Sequence, residues 1–252
     1  MLHQYNTYKY YLGCVDFMKT DSLGLRSLLV CMGLLGSLCV TSAAPVKGWL
    51  AWRGPHQTGY SLEKGLPDKI DAAQPLWTAD YPGQSTPVIA NGKLYVMGYL
   101  GDGPDLQEGI GCFDAETGKM LWSQRYNDFL SDVIYLRYAN STPAVDGETG
   151  NVYMQGSQGI LAGFTAEAKL LWRHSMMESF GRLTFPNNRT ASPLIDGDLV
   201  IVHGITANWG AHGPAGDRFY AFDKNSGELV WSSSPGALSK DNSFSHPYVR
   251  CL

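Results

Sequence analysis

The sequence predicts an all-β fold built from four-stranded antiparallel blades, arranged as an incomplete β-propeller of about three blades with partial flanking strands. Three observations predict it. A turn followed by a strand that ends in tryptophan occurs at residues 112–122, 162–172 and 221–231. A second hairpin pattern precedes each copy, and 13 prolines and 29 glycines supply turn residues. The copies recur at roughly 50 residues, a period that is typical of repeat architectures.

An aspartate and a glycine define the turn within each copy. Asp114 and Asp223 can accept hydrogen bonds from the backbone two residues further on, and Gly118 and Gly227 can take a positive φ without steric cost. An apolar strand precedes the turn and a strand ending in tryptophan follows it, which predicts a hairpin. The second copy keeps its small residue and its tryptophan but departs at the turn: it holds Ala162 and Trp172, with Thr165, Glu167 and Ala168 between them.

The hairpin upstream of each copy supplies the other two strands of a blade. Asn91-Gly92 separates two apolar runs in the first period, which is a strong short-range signal for a hairpin. Residues 146–150 and 196–198 occupy the same place in the next two periods. Residues 98–109 and 204–216 are expected to be Gly-rich loops on one face. A proline begins the first strand of each blade, where a missing N–H costs little: Pro87, Pro143 and Pro193.

The flanks of the three copies are incomplete. Residues 75–77, which end in Trp77, have the pattern of the last strand of a blade whose other strands are missing. A fourth blade is expected to begin at residues 244–249, with His246-Pro247 in the Thr/Ser-Pro position. Propellers close with about four to eight blades. The chain is therefore interpreted as a truncated fragment, as one part of a ring that a protein partner or second chain completes, or as an inactive remnant of a frameshifted gene.

The first 44 residues are expected to lie outside the propeller, which we assign to residues 45–252. Residues 18–44 have the pattern of a secretory signal, with Arg26, an apolar stretch and small residues before the cleavage site. Residues 1–17 lack such a pattern and are expected to be a mis-called extension. The apolar stretch, about 13 residues, is short for a membrane span. The sequence predicts a periplasmic or secreted protein with no membrane span after cleavage.

Composition argues against several classes of function. The chain has 19 basic and 23 acidic residues, a net charge of −4 and no basic run, so no nucleic-acid partner is expected. Only Cys112 and Cys251 would remain after cleavage, which does not support a disulfide framework. Cys112 is expected to be a core thiol. The chain has no His-x-His or His-Glu-x-x-His spacing, phosphate loop or Gly-x-Ser-x-Gly motif, so no metal site or catalytic residue is predicted.

The pattern Ala-x-Asp-x-x-Thr/Ser-Gly-Lys/Glu-x-x-Trp resembles the quinoprotein repeat, the blade signature of pyrroloquinoline-quinone-like β-propellers of the secreted bacterial type. The third copy matches at every position, and the first has Cys112 in place of alanine. The Trp-Arg-Gly-Pro run at residues 52–55 resembles the segment that leads into the propeller in many secreted members. The resemblance implies that tryptophans dock each blade on its neighbour, beside the turn glycines: Trp122, Trp172 and Trp231, with Gly118 and Gly227.

The resemblance implies two possible functions. Some members are dehydrogenases that hold pyrroloquinoline quinone and calcium in the central channel, and others are quinone-free propellers, such as the lipoprotein that aids outer-membrane protein assembly. This chain lacks the adjacent Cys-Cys pair of the dehydrogenases. Arg137, Asn140 and Arg189 precede strands that line the channel, where they would either bind an anionic cofactor or satisfy carbonyls and hydroxyls at the channel mouth. We expect a non-enzymatic binding or scaffolding module without a cofactor; the alternative is a fragment of a quinone-dependent alcohol or sugar dehydrogenase.

Overall fold

The computed structural model describes residues 44–71, 73–128, 138–181, 190–206, 216–234 and 247–248. These residues form three antiparallel sheets that follow one another along the chain. We call them blades 1, 2 and 3. The arrangement confirms the predicted fold class, an all-β incomplete propeller. The predictions for residues 1–43 concern a part of the chain outside the described residues.

Each blade contains four strands that pair in chain order, and one further strand, β1 (Gly48–Trp49), precedes them. Blade 1 contains β2 (Val88–Ala90), β3 (Lys93–Leu100), β4 (Gln107–Asp114) and β5 (Met120–Asn127). Blade 2 contains β6 (Ala144–Val145), β7 (Val152–Gln155), β8 (Ile160–Phe164) and β9 (Leu170–Ser175), followed by the helix α1 (Met176–Phe180). Blade 3 contains β10 (Leu194–Asp196), β11 (Leu199–Thr206), β12 (Gly216–Asp223) and β13 (Leu229–Ser233).

The turns between strands follow the predicted chemistry. Asn91 and Gly92 both have positive φ, 48° and 76°, as a two-residue hairpin turn requires. Asp114 Oδ1 accepts hydrogen bonds from the Thr117 hydroxyl at 2.7 Å and from the Thr117 N–H at 2.8 Å. These bonds lower the pKa of Asp114 below its usual value. The aspartate therefore fixes the turn as an acceptor of local hydrogen bonds.

The second copy of the repeat has a different register from the predicted one. Gly163, and not Ala162, lies opposite Trp172. The residues opposite the tryptophans of the other two blades are Cys112 and Ala221. The turn that follows is shorter, and Ala168 takes the positive φ of 71° that glycine takes elsewhere. Ala162 was predicted to occupy the position of Cys112 and Ala221, ten residues before the tryptophan. That prediction was wrong, because the turn of the second copy is shorter and Gly163 occupies this position.

Blade 1 carries a fifth strand that the repeat pattern did not indicate. β1 pairs antiparallel with β2, the first strand of the blade, and Gly48 lies opposite Ala90. First strands line the central channel of a propeller, so β1 covers the axial edge of blade 1. Gly48 has a φ of 142°, and a Cβ there would overlap the Ile89 carbonyl. Only glycine fits where the two backbones approach so closely.

The segment around β1 also reaches blade 2. The Val46 N–H donates a hydrogen bond to the Gly147 carbonyl at 2.9 Å, and the Val145 N–H donates one to the Leu50 carbonyl at 2.8 Å. Leu50 is buried in the same apolar cluster as side chains of both blades. Residues 46–50 therefore join the axial edges of blades 1 and 2 through backbone hydrogen bonds and apolar packing.

The Trp-Arg-Gly-Pro run forms a compact turn directly after this segment. The Gly54 N–H donates to the Ala51 carbonyl at 2.8 Å, and the Arg53 guanidinium donates to the Thr58 carbonyl at 3.2 Å. Gly54 has a φ of 78°, and a Cβ there would lie 2.9 Å from the Trp49 ring. The motif therefore stabilises the local chain path beside the axial strands.

The hairpin of β3 and β4 is longer than predicted. Gly98 pairs with Gly109 inside the sheet, so only residues 101–106 connect the two strands, and the loop predicted over residues 98–109 was wrong at both ends. In blade 3, strand pairing likewise extends to Thr206 and Gly216. A Cβ at Gly98 would overlap the Tyr81 ring. Gly98 marks a close approach of an aromatic ring to a strand, which composition alone does not distinguish from a loop.

The apolar core lies between the blades. One cluster joins blades 1 and 2, with Tyr95 and Phe164 among its members, and a second joins blades 2 and 3, with Tyr153 and Phe222. The opposite face of blade 1 is covered by the segment at residues 77–84, in which Tyr81 packs edge-on against Phe113. Neighbouring blades thus share apolar clusters, as expected of a repeat protein.

Candidate functional site

Three tryptophans dock on the next sheet along the chain by the same contact. Trp122 and Trp172 belong to the last strands of blades 1 and 2, whereas Trp77 lies outside the strands. Each ring N–H donates a hydrogen bond to a backbone carbonyl just after the third strand of the next blade: Trp77 to Ala115 at 3.0 Å, Trp122 to Ala166 at 3.1 Å and Trp172 to Lys224 at 2.9 Å. Trp77 therefore takes the place that the tryptophan of a preceding blade would take.

Gly118 and Gly227 receive the tryptophan rings. Both have positive φ, 70° and 75°. A Cβ at Gly118 would overlap the Trp77 ring, and one at Gly227 would lie 2.5 Å from Cγ of Trp172. The turn chemistry accounted for the positive φ alone. The structure adds a second requirement, because the ring of the preceding tryptophan occupies the space where a side chain would lie.

A buried lysine joins blades 2 and 3. The Lys224 side chain is 3% exposed, and its Nζ lies 2.7 Å from the Glu148 carboxylate and 3.3 Å from the buried Asp146 carboxylate of blade 2. Burial lowers the pKa of Lys224, but the hydrogen bond to Glu148 and the charge of Asp146 outweigh burial and leave the pKa above its usual value. Lys224 therefore stays charged at neutral pH inside the contact between two blades.

The backbone of the same lysine carries further contacts. Its carbonyl accepts hydrogen bonds from the Trp172 ring and from the Tyr153 hydroxyl, both at 2.9 Å. Its N–H donates to the Asp198 carbonyl at 2.8 Å. The repeat pattern did not indicate this residue, since the same position holds alanine in blades 1 and 2. The sequence signal was limited to a lysine directly after the turn aspartate, since its acidic partners at residues 146–150 lie in another period of the repeat.

Polar residues ahead of the first strands connect blades 2 and 3 near the axis. The Asn140 side-chain oxygen accepts a hydrogen bond from the Thr190 N–H at 3.2 Å. The Ser192 hydroxyl accepts one from the buried Thr142 N–H at 2.9 Å. Asn140, a predicted cofactor candidate, thus uses its side-chain oxygen to accept a hydrogen bond from the backbone of another blade. The other two candidates lie outside the described residues: Arg137 and Arg189.

A buried carboxyl group lies at the contact between blades 1 and 2. Glu108 is fully buried in β4, where its Oε1 accepts a hydrogen bond from the Ser157 N–H at 3.1 Å. The Gln158 side chain donates to the Glu108 backbone carbonyl at 3.3 Å. Burial, followed by the charge of the Asp128 carboxyl group, raises the pKa of Glu108 to about 8. Strand alternation gave no signal for this residue, because both neighbours of Glu108 are also at least partly buried.

This carboxyl group is expected to make stability fall as pH rises. Glu108 keeps its proton in the folded state up to about pH 8, whereas the unfolded chain releases it near 4.5. Between these values the folded state binds more protons, so the free energy of unfolding declines by up to about 1.4 kcal/mol per pH unit for this group. Above pH 8 the contribution is constant.

The substitution Glu108→Gln should remove this decline, because the amide imitates the protonated acid. Urea unfolding at pH 5 and pH 8 measures this decline, and Glu116→Gln, at an exposed position, is the matched control. We expect the loss of stability between the two pH values to be smaller in Glu108→Gln by more than about 1 kcal/mol. If the unmodified protein, Glu108→Gln and Glu116→Gln lost the same stability between pH 5 and pH 8, Glu108 would not be the group responsible for the decline.

Blade 3 has an apolar face on the side away from blade 2, and the tryptophan on this face is exposed. We call the surface formed by Leu199, Ile201, Phe219 and Trp231 the open face. These side chains line a pocket of about 420 Å³, together with Pro247 and Tyr248. Trp231 is 37% exposed, whereas Trp172 in blade 2 is 7% exposed. Phe219 is half-buried, whereas the residues at its position in blades 1 and 2, Ile110 and Leu161, are fully buried.

These contacts define the chain, at the level of class, as an incomplete β-propeller whose blades are joined by tryptophan rings. No protein-family model matches the sequence, and no curated protein matches it significantly. Within the described ranges, no helix has both the length and the apolar character that a membrane crossing needs.

Solved structures are similar over part of the chain. A quinohemoprotein alcohol dehydrogenase from Comamonas testosteroni has 20% identity and a TM-score of 0.43 over 61% of this chain and 21% of its own. A europium-containing methanol dehydrogenase has 20% identity and a TM-score of 0.41 over 59% and 24%. BamB from Moraxella catarrhalis has 19% identity and a TM-score of 0.33 over 60% and 49%. The chain thus spans less than half of each of these proteins, and likeness at this level carries no argument about activity.

Proposed function

We propose that the chain is a non-enzymatic, extracytoplasmic propeller module that binds or scaffolds a protein partner, as a truncated part of a larger ring. The open face is the observation that carries the proposal. It exposes the ring of Trp231, although the matching tryptophan of blade 2 is almost fully buried against blade 3. A pocket lined by apolar and aromatic side chains is typical of protein interaction sites.

Two contacts of the described axial residues support a module without quinone and calcium. β1 covers the edge of β2 that would line the channel in blade 1. The Asn140 side-chain oxygen is engaged by the Thr190 backbone. These observations favour a binding module over the alternative, a fragment of a quinone-dependent alcohol or sugar dehydrogenase.

The location outside the cytoplasm is part of the proposal and depends on the signal pattern of residues 18–44. Expression in a bacterial host followed by fractionation and N-terminal sequencing tests it. We expect the exported protein to begin near residue 44 or 45. Recovery of a chain that begins within residues 1–17 would contradict both the signal and the predicted extension.

A titration with pyrroloquinoline quinone and calcium chloride tests the proposed absence of a cofactor. The purified chain is followed by absorbance and by thermal melting, because a ligand that binds the folded state raises the melting temperature. We expect a cooperative melt that neither ligand shifts. Saturable binding with a higher melting temperature, lost in Arg137→Ala and Arg189→Ala but kept in Arg173→Ala, would establish the dehydrogenase alternative. Arg173 is the control because it lies over the Tyr126 ring on an outer strand.

A further inference from the structure

We propose that a pocket beside β1 binds the quaternary ammonium group of a small organic cation. We call this pocket, whose walls include Trp49, Pro55, His56, Tyr60, Leu62 and Glu63, the entry pocket. The inference goes beyond the proposed function, because no residue of the open face lines the entry pocket.

The entry pocket is built from one continuous stretch of the described chain. All its lining residues fall within residues 48–63, in β1 and in the segment that contains and follows the Trp-Arg-Gly-Pro run. Its volume of about 300 Å³ lies at the small end of the range for small-molecule sites, roughly 300–1,000 Å³. The pocket therefore suits a compact ligand.

Local contacts hold the walls of the entry pocket in place. The Trp49 ring lies against Gly54, where a Cβ would be 2.9 Å from the ring. The N–H groups of Tyr60 and Glu63 each donate a hydrogen bond to a hydroxyl two residues earlier, at 3.3 Å and 3.1 Å. These bonds use the backbone of Tyr60 and Glu63 and leave the two side chains for a ligand.

Two aromatic rings give the entry pocket an attraction for positive charge. Trp49 is half-buried and Tyr60 is 68% exposed, and both side chains line the pocket. The face of an aromatic ring carries a negative potential, which attracts a cation that lies within about 6 Å of the ring centroid. Tryptophan and tyrosine together are therefore suited to a cation that can lie against flat apolar surfaces.

The charged groups of the entry pocket also favour a cation. Glu63 is the acidic residue of the lining, which contains no lysine or arginine. Within the ranges that the structure describes, the Glu63 carboxylate forms no ion pair, so its charge is available to a ligand. Arg53 belongs to the same segment but does not line the pocket, and its guanidinium donates to the Thr58 carbonyl at 3.2 Å.

The apolar part of the lining favours a quaternary ammonium group over a primary one. A primary ammonium group brings three N–H donors that need acceptors, whereas a quaternary group carries methyl groups in their place. Pro55 and Leu62 offer apolar surface to such methyl groups. His56 adds no competing charge at pH 8, where histidine is ordinarily neutral. The rest of the ligand should not be anionic, because an anionic group would face Glu63.

Isothermal titration calorimetry of the full chain with choline chloride at pH 8 tests the inference, and sodium chloride controls for ionic strength. Two further ligands separate shape from charge. The alcohol 3,3-dimethyl-1-butanol has the shape of choline without its charge, and glycine betaine adds a carboxylate. We expect saturable binding of choline, binding of the neutral alcohol that is about tenfold weaker, and weaker binding of glycine betaine.

Variants at exposed positions test whether choline occupies the entry pocket. Tyr60→Ala removes a ring and is expected to weaken choline binding about tenfold, whereas Tyr60→Phe keeps the ring and the affinity. Glu63→Gln is expected to weaken binding about threefold. Asp68→Asn, at an exposed position outside the lining, is the matched control and should leave binding unchanged. Thermal melting verifies that each variant is folded.

Three results would overturn the inference. The first is no saturable binding of choline by the folded chain. The second is equal binding of choline and the neutral alcohol, because the pocket would then recognise apolar shape alone. The third is choline binding that neither Tyr60→Ala nor Glu63→Gln weakens. Co-sedimentation with phosphatidylcholine vesicles separates a lipid headgroup from a free cation: we expect none, and vesicle binding that Tyr60→Ala abolishes would make the headgroup the ligand instead.

Discussion

Replacing Gly227 by alanine is expected to lower the free energy of unfolding by about 3 kcal/mol. One part of the effect is the positive φ of 75°, which a side chain tolerates poorly. The larger part is the contact with Trp172, because the new Cβ would lie 2.5 Å from Cγ of the ring. The ring would have to move, and movement weakens its hydrogen bond to Lys224 and its packing against Phe222.

Gly92→Ala is the matched control for this prediction. Gly92 has nearly the same φ, 76°, but nothing lies within 4 Å of a Cβ placed there. The control therefore measures the backbone cost alone, about 1 kcal/mol. Urea unfolding and tryptophan fluorescence are the measurements, and we expect a red shift of emission only in Gly227→Ala. Equal losses of stability in the two variants would mean that the ring of Trp172 does not depend on the glycine.

Replacing Lys224 by methionine is expected to cost about 3 kcal/mol, because it leaves the buried Asp146 carboxylate without its cation. Asp146 is 3% exposed, and Lys224 lies 3.3 Å from its Oδ2. Lys93→Met is the comparison, since the pair of Lys93 and Glu167 has the same Nζ-to-oxygen distance of 3.3 Å but exposed fractions of 29% and 76%. Lys93 Nζ also donates to the Ala166 carbonyl at 2.9 Å, so this variant loses one backbone hydrogen bond as well as the ion pair. Exposed ion pairs contribute less than about 1 kcal/mol.

A double variant separates the charge from the packing of this lysine. Asp146→Asn removes the carboxylate that Lys224→Met leaves unpaired, so the double variant is expected to be more stable than Lys224→Met alone. Chemical unfolding at neutral pH, well below the pKa of Lys224, measures all the proteins. A double variant that loses as much as the sum of the two single variants would contradict a direct interaction between the two side chains.

The strand pairs could be predicted because they depend on local residues. Asn91-Gly92 defines a hairpin turn by backbone conformation alone, and the recurring tryptophan marks the last strand of each blade. The register of the second copy could not be predicted in this way. The length of the turn decides whether Ala162 or Gly163 lies opposite Trp172. The periodic spacing of the repeat does not reveal that length.

The remaining features depend on residues that are distant in sequence. The contact between Lys224 and Asp146 joins two turns of different blades, and the carbonyl of Lys224 meets Trp172 of the preceding blade. The fifth strand of blade 1 could not be predicted either, because β1 is too short and too irregular in sequence to be recognised. Packing between blades decides these contacts, and local propensity has little influence on them.

The bridge formed by residues 46–50 has a consequence for the order of folding. Val46 meets Gly147 and Leu50 meets Val145 across separations of roughly 100 residues, whereas the hairpins of each blade close over short ones. During synthesis the leading segment has no partner in blade 2 until that blade has left the ribosome. The blades are expected to form first and the bridge to close afterwards, so the earliest part of the described chain is among the last to reach its final contacts.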